Sequence, residues 1–153
     1  MMRAALFIVL GVLTACTAAA AQRFSCGGAD VDIRIVPRES ATWELRYEAV
    51  VSVSKEGYST VLRYRGDIDF IGGTCVDKAG SAPLVVYQAY CGGSGCKDGA
   101  NWGVIDSHRL RVLAVPSDSN RNEAAMIVGD QPLPQLKMMN VLKEARTMGV
   151  QVP

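Results

Sequence analysis

The stretch from Tyr90 to Asp106 concentrates side chains that could do chemistry. Its sequence, YCGGSGCKDGANWGVID, holds two cysteines, a serine, a lysine, two aspartates and a tryptophan among five glycines. Three readings fit this composition: a serine nucleophile, a metal-binding knuckle and a loop closed by a disulfide. The nucleophile interpretation fails, because a G-x-S-x-G elbow around Ser94 requires glycine where Cys96 stands.

Two other motifs could in principle serve catalysis or metal binding. His108 is the chain's one histidine and hence the one candidate histidine base. Its neighbours Asp106 and Ser107 share a predicted tight turn in which consecutive side chains point apart, so no triad is expected. The segment Asp118–Asn122 resembles the start of a calcium loop but lacks the glycine and glutamate required further on. The sequence predicts no catalytic residue, no metal site and no cofactor.

The N-terminus has the three-part layout of a secretory signal peptide. Arg3 supplies a positive charge, Ala4–Leu13 form an apolar run, and Thr17–Ala21 are small residues. The apolar run is shorter than the roughly 20 residues that a spanning helix needs. We therefore predict export without a transmembrane span.

Two cleavage sites fit this leader. Cleavage after Ala21 removes residues 1–21 and leaves a single domain over residues 22–153. Cleavage before Cys16 removes residues 1–15, because the preceding LTA triplet completes a pattern that resembles a bacterial lipobox, in which the cysteine is acylated. The mature protein is predicted to be periplasmic or secreted, or alternatively an outer-membrane lipoprotein with a lipid anchor on Cys16.

Both cuts leave the same four of the five cysteines. An even number of cysteines in an exported chain favours disulfides, and we predict the pairs Cys91–Cys96 and Cys26–Cys75. Zinc held by four thiolates is the alternative, since C-x4-C lies within ligand spacing. A thioredoxin-like role is disfavoured, because the spacing is not C-x-x-C.

Charge excludes some partner classes. The chain carries 16 basic and 15 acidic residues, and loss of residues 1–21 removes Arg3 alone, leaving 15 of each. This balance lacks the basic footprint of a nucleic-acid or anionic-membrane binder. A protein partner in the cell envelope is the remaining expectation.

Period-2 alternation predicts a β-hairpin from Trp43 to Phe70 with its turn at Glu56-Gly57. This register makes one face continuously apolar and leaves the other solvated and charge-paired. It opposes Glu48 to Arg65, Arg46 to Asp67, and Trp43 to Phe70, with both aromatic residues facing the core.

The remaining strand signals complete a mainly antiparallel fold. Leu84–Tyr90 is apolar on both faces, as a central strand would be. Trp102–Ile105 and Leu110–Val115 form another predicted pair, and Val31–Ile35 an N-terminal strand. The fold class predicted is α+β: a meander or open barrel of about six strands with one or two C-terminal helices packed on it and two disulfides.

The C-terminal quarter changes to helical spacing. A short helix capped by Asn120 or Asn122 is predicted to stop at Gly129, and a longer one to follow residues 132–134 and end at Gly149. The longer helix carries an apolar stripe interpreted as core: Leu136, Met139, Leu142, Ala145 and Met148.

The loop after Leu84–Tyr90 is the candidate binding element. We predict that Trp102 re-enters the core or marks the edge of the loop, and that four polar residues stand outside: Ser94, Lys97, Asp98 and Asn101. Ser94–Asp98 shares S-G with the S-G-x-x-Y loop of periplasmic lysozyme inhibitors but has Asp98 in place of tyrosine, so the likeness is one of construction alone.

The function predicted is that of a small exported envelope protein. It would act as a non-catalytic binding or inhibitor module on another macromolecule, such as a cell-wall hydrolase or a toxin. Two alternatives stay open: a small periplasmic hydrolase with an unfamiliar site, and a structural envelope lipoprotein. A single histidine and the lack of a hydrolase elbow favour the non-catalytic role.

Overall fold

The computed structural model describes residues 21–38, 47–65, 68–96, 101–129, 132–150 and 152. Their regular elements are, in chain order, β1 (Ala21–Cys26), β2 (Ala29–Pro37), β3 (Tyr47–Lys55), β4 (Tyr58–Tyr64), β5 (Phe70–Val76), β6 (Leu84–Tyr90), β7 (Trp102–Asp106), β8 (Arg111–Ala114), α1 (Arg121–Val128), β9 (Met139–Asn140) and α2 (Val141–Thr147). The predicted α+β class, mainly antiparallel with C-terminal helices and two disulfides, is confirmed. The described strands number nine rather than about six, and they form two sheets. Within the described residues, no helix is long and apolar enough to cross a membrane.

The first sheet has the strand order β1-β2-β3-β4, so every neighbour is joined by a hairpin. Two of its connections are two-residue turns, Gly27-Gly28 and Glu56-Gly57, and all four residues have positive φ (58°, 77°, 52° and 84°). Positive φ at both positions is the type I′ geometry that matches the twist of the flanking strands. The predicted turn at Glu56-Gly57 is confirmed.

The predicted hairpin register is also confirmed where both strands are described. Ala49 lies opposite Tyr64 in the β3–β4 pair. One residue further on, Arg65 Nε donates to Glu48 Oε2 over 3.2 Å. Charge pairing and the apolar alternation therefore selected the correct register.

The far end of the predicted hairpin is wrong. Phe70 does not continue β4: it begins β5 in the other sheet, where it lies opposite Tyr90. The prediction that Phe70 faces the core is also wrong, because Ile71 is the β5 residue buried in the main core and Phe70, on the opposite face of the strand, is only partly buried. Trp43, Arg46 and Asp67 lie outside the described residues.

The polar face of β3 is covered near Glu48, contrary to the prediction of a solvated face. Glu48 is 6% exposed and Val50 is 1% exposed. Arg63 and Arg65 both pair with the Glu48 carboxylate. Burial by itself raises the pKa of this carboxyl, but hydrogen bonds and charge from the two arginines outweigh it and hold the pKa below its usual range.

The second sheet has the order β8-β7-β6-β5-β9. Its middle strand is β6, and six of the seven β6 residues are buried. This confirms the prediction of a central strand at Leu84–Tyr90 and the pairing of β7 with β8. One consequence is that the turns joining β5 to β6 and β7 to β8 lie at the same end of the sheet.

The main core lies between the two sheets. Tyr87 is fully buried there, and its hydroxyl lies 2.7 Å from that of Tyr64. Its ring lies over Gly103, where an added Cβ would come within 2.0 Å of the ring. The Cys26–Cys75 disulfide, as predicted, joins β1 to β5 and so links the sheets covalently.

A second apolar layer covers the outer face of the second sheet. Helix α1 contributes Ala124 and Val128, both buried against β6 and β7 side chains. Leu133 and Leu136 of the following segment pack on the same cluster. The layers are therefore sheet, sheet and then helix with extended chain.

The first C-terminal helix matches its prediction and the second is shorter than predicted. Helix α1 ends before Gly129, whose φ of 94° few other residues adopt. Helix α2 also ends as predicted, near Gly149 (φ 77°). It begins only at Val141, however, because Asn140 caps it through its side chain, which accepts a hydrogen bond from Lys143 N at 2.8 Å.

The segment before α2 is strand rather than helix. Met139 and Asn140 pair with Ile71 and Phe70 as β9. Met139 and Met148 still pack partly buried against the main core, so their predicted role in packing is confirmed even though they do not share one helix.

Candidate functional site

The loop that leaves β6 is closed by the predicted disulfide between Cys91 and Cys96. Their Cα atoms lie 5.7 Å apart, and Cys96 N donates to Gly93 O over 2.9 Å inside the ring. Gly92, Gly93, Ser94 and Gly95 are all exposed. The ring is therefore a short, solvent-facing turn with one polar side chain, that of Ser94.

The bonding of the cysteines distinguishes between the two predicted alternatives, disulfides and a zinc site. The sulfurs of Cys26, Cys75, Cys91 and Cys96 are bonded in pairs, so they are not thiolate ligands for zinc. Among the described residues, no group of three or more His, Cys, Asp or Glu side chains could hold a metal ion.

The start of the loop is anchored on the β4–β5 connection. Gly92 N donates to Asp69 Oδ2 over 2.7 Å, and Asp69 N donates to Tyr90 O over 2.9 Å. The ring of Phe70 approaches Gly92 so closely that a Cβ there would lie 2.6 Å from Cε2. Any larger residue at position 92 would therefore force the Phe70 ring to move.

The end of the loop is anchored by Asn120, the residue before α1. Asn120 Oδ1 accepts from Trp102 N over 2.9 Å, and Nδ2 donates to Trp102 O over 2.5 Å. The same Nδ2 donates to Val115 O over 2.6 Å. The side-chain amide thus pairs with Trp102 as a residue of a neighbouring strand would, beyond the point where β8 ends.

These anchors revise the predicted binding residues. Ser94 is exposed as expected. Asn101 is 8% exposed and Trp102 is 4% exposed, so the prediction that Asn101 stands outside the loop is wrong, while Trp102 does re-enter the core. Lys97, Asp98 and the lipidation candidate Cys16 lie outside the described residues.

Two residues that matter for the loop were missed at the sequence level. Asp69 falls on the polar side of the alternating D-I-D-F pattern, and that pattern gives no signal of its role as an anchor. Asn120 was placed correctly before α1, but its side chain makes no cap hydrogen bond. That side chain instead makes its hydrogen bonds to Trp102 and Val115.

The turn between β7 and β8 contains no triad. Asp106 Oδ1 accepts from the backbone N–H of His108 and of Arg109, both over 2.9 Å. Ser107 is fully buried and its Oγ donates to Pro83 O over 2.6 Å, away from the exposed His108. The side chains of Asp106, Ser107 and His108 therefore point apart, as predicted.

Hydrogen bonding in this turn also affects its charge. Burial by itself raises the pKa of the Asp106 carboxyl, but the hydrogen bonds from Arg109 and His108 outweigh it and hold the pKa below its usual range. Asp106 is thus a permanently charged brace for the turn at neutral pH.

A cleft of about 720 Å³ lies beside this turn, lined among others by Lys78, Ser81, Asp106, His108 and Arg109. A second cleft of about 390 Å³ adjoins it, shares His108 and Arg109, and reaches the β3–β4 turn. The sequence did not reveal either cleft, because their residues come from separate hairpins that only the strand order brings together.

Comparison of the chain with models of protein families, with curated proteins and with solved structures finds no match.

Proposed function

We propose that this chain is exported and that the mature protein binds another macromolecule of the cell envelope through its disulfide-closed loop. The observation that carries the proposal is the exposed Cys91–Cys96 ring, which the disulfide closes and which Asp69 anchors through a hydrogen bond from Gly92 N. The partner is a protein, for instance a cell-wall hydrolase or a toxin, and the chain itself has no catalytic part in the interaction.

Export is supported by the state of the cysteines. Two disulfides within one small domain are typical of proteins from oxidising compartments. The leader-like N-terminus points the same way. Periplasmic or secreted protein is the main form of the proposal, and a lipoprotein anchored at Cys16 is its variant.

Binding by the loop is supported by its low ordering cost. A free glycine-rich loop loses conformational entropy each time it binds, on the order of 0.5–1.5 kcal/mol for each side chain immobilised. Here the disulfide and the Asp69 contact restrict the ring from Cys91 to Cys96 beforehand, and the Asn120 contact holds Trp102, where the chain returns to the sheet. A loop prepared in this way can present polar groups with little further loss.

The decisive experiment is the Cys91→Ser/Cys96→Ser double variant. Envelope extract is passed over immobilised wild type and variant, and a protein held by wild type is purified for affinity measurement. Because a six-residue ring restricts the unfolded chain little, the stability loss should be about 2 kcal/mol or less. Affinity should fall by about tenfold, which corresponds to one or two side chains that must be ordered anew.

A matched pair of substitutions separates loop contact from general damage. Ser94→Arg adds bulk and charge to the exposed ring and should abolish binding at unchanged melting temperature. Ser25→Arg makes the same change at an exposed position of β1 and should leave binding intact. Equal affinities of wild type, Ser94→Arg and the double variant would refute the loop as the binding element.

Export is tested separately by intact mass of protein recovered from its native envelope. Residues 1–21 should be missing, or residues 1–15 with an acylated Cys16. Retention of Met1 would refute the export proposal.

A further inference from the structure

The larger cleft lies at the opposite end of the second sheet from the disulfide-closed loop. It is bounded by the β5–β6 connection, which carries Lys78 and Ser81, and by the β7–β8 turn. Leu84, the first residue of β6, lines it, whereas the loop leaves from Tyr90 at the other end of the strand. Six residue steps of a strand span about 20 Å, so the cleft is separate from the loop.

Cationic and polar groups converge on this cleft from two connections. Lys78 comes from one side, and His108 and Arg109 come from the other. The acidic residue in the lining, Asp106, directs one oxygen to two backbone N–H groups, and its other oxygen lies 3.9 Å from Arg109 Nη1. Its negative charge is therefore partly compensated within the turn, and the donors that remain favour an anion.

The turn that carries His108 and Arg109 has a braced backbone. Ser107 Oγ and N both donate to Pro83 O, over 2.6 and 3.3 Å, which ties the two connections together. The hydroxyl of Thr60 donates to Leu110 O and ties the turn to β4. A site that is held before the ligand arrives loses little entropy on binding.

Lys78 is positioned by a further contact. Its Nζ donates to Ile127 O over 2.7 Å, at the C-terminal turn of α1. A cation is favoured there by the helix dipole. Since an ammonium group has three N–H donors, this bond fixes the side chain and leaves donor capacity for a ligand.

The cleft also has apolar walls. Leu84, Leu113 and Ala82 line it beside the charged groups. Its volume of about 720 Å³ is in the range of small-molecule sites, about 300–1,000 Å³, and is far larger than an inorganic ion needs. A ligand with both an anionic group and an apolar part would use the whole surface.

We infer that this cleft binds a small organic anion. A carboxylate or phosphate group would lie against Lys78, His108 and Arg109, and an apolar portion against Leu84 and Leu113. This site is independent of the proposed macromolecule-binding loop, and either could exist without the other.

The test is an amide chemical-shift titration of the isotope-labelled mature protein with phenyl phosphate, benzoate and the neutral analogue benzyl alcohol. Both anions should cause saturable shifts confined to residues 78–84 and 106–113, with a dissociation constant of about 1 mM or lower for probes of this size. Benzyl alcohol should bind at least tenfold more weakly. A preference for phenyl phosphate over benzoate would indicate an organic phosphate, and the reverse a carboxylate.

Charge-removing variants identify the contacts. Arg109→Gln and Lys78→Gln should each weaken anion binding by about tenfold, the effect of one charge-assisted hydrogen bond. The controls Arg146→Gln and Lys143→Gln remove the same charges at exposed positions outside the cleft and should leave it unchanged. Arg109 is 74% exposed, so its variant keeps the fold even if Lys78→Gln does not.

Two outcomes would overturn the inference. One is equal binding of the neutral and anionic probes, or shifts that grow without saturation over the whole surface. The other is an equal loss of affinity in Arg109→Gln and in its control Arg146→Gln.

Discussion

Replacement of Asn120 separates two roles that a residue before a helix can have. An N-cap side chain is worth about 1 kcal/mol, and aspartate serves there as well as asparagine. Asn120 instead makes its three hydrogen bonds to Trp102 and Val115, at 6% exposure. The two roles therefore predict different stabilities for Asn120→Ala, and for Asn120→Asp the cap role predicts little change where the strand-like role predicts a large loss.

The expected loss follows from the groups left behind. Asn120→Ala leaves one N–H and two C=O groups without this partner, and each buried unsatisfied group costs about 1–3 kcal/mol. Water that enters beside Val115 would satisfy part of them, so we expect a loss of about 3 kcal/mol. Asn120→Asp should cost as much or more, because it removes both donors and sets carboxylate oxygens against two carbonyl oxygens.

The assay is equilibrium urea unfolding followed by tryptophan fluorescence, with shared m-values as the check on two-state behaviour. Asn122→Ala and Asn122→Asp, at an exposed position of α1, are the matched controls and should change stability by no more than about 0.5 kcal/mol. Near-wild-type stability of Asn120→Asp would refute the strand-like role and restore the simple cap. Lowering the pH should partly rescue Asn120→Asp, because protonation removes the repulsion.

Three further outcomes are expected. The pKa of Glu48 is depressed in the folded protein, so the stabilising contribution of this carboxylate is full above its unfolded-state pKa and is lost as the pH falls through its folded-state pKa. The stability difference between wild type and Glu48→Gln should therefore shrink from pH 7 to pH 3, and a constant difference would contradict this. Gly103→Ala should cost about 3 kcal/mol or more by forcing a Cβ into the buried Tyr87 ring. Gly95→Ala, whose Cβ would have nothing within 4 Å, should cost less than about 1 kcal/mol. Comparable melting temperatures of the two variants would refute the clash between a Cβ at position 103 and the ring. Cys26→Ser/Cys75→Ser should lose roughly 4 kcal/mol in denaturant unfolding, since that bond spans 49 residues, and a loss no greater than that of the short ring would refute the chain-entropy argument.

Several features follow from local sequence alone. The β3–β4 hairpin was predictable because alternation and opposite charges agree on one register around Glu56-Gly57. The central strand β6 was predictable because it is apolar on both faces. The disulfide pairing followed from the number and spacing of the cysteines in a chain read as exported.

Strand β1 was not predicted, because its sequence lacks a regular apolar alternation. Gln22 is on the same side as the buried Cys26 and breaks the apolar alternation there. Its amide is satisfied at long range: Oε1 accepts from Gly73 N over 3.1 Å, and Nε2 donates to Lys137 O over 2.5 Å. An inward glutamine is acceptable only with such partners, and they lie 51 and 115 residues away.

The C-terminal segment differs from its prediction for a related reason. Leu136, Met139 and Leu142 recur every three residues, but Met139 is in β9 and Leu142 is in α2. The spacing indicates that each of these residues is packed against a core, but it does not indicate whether the residue belongs to a helix or to a strand. The open edge of β5, which accepts β9, decides between strand and helix.

Sequence by itself thus determined the central strand, one hairpin register and the sulfur pairs, because these depend on neighbours a few residues away or on simple counting. Tertiary structure alone decided the division into two sheets, the strand-like role of Asn120 and the meeting of Lys78 with the His108 turn. Each of these requires groups from separate hairpins to meet, and local periodicity carries no information about which elements become neighbours.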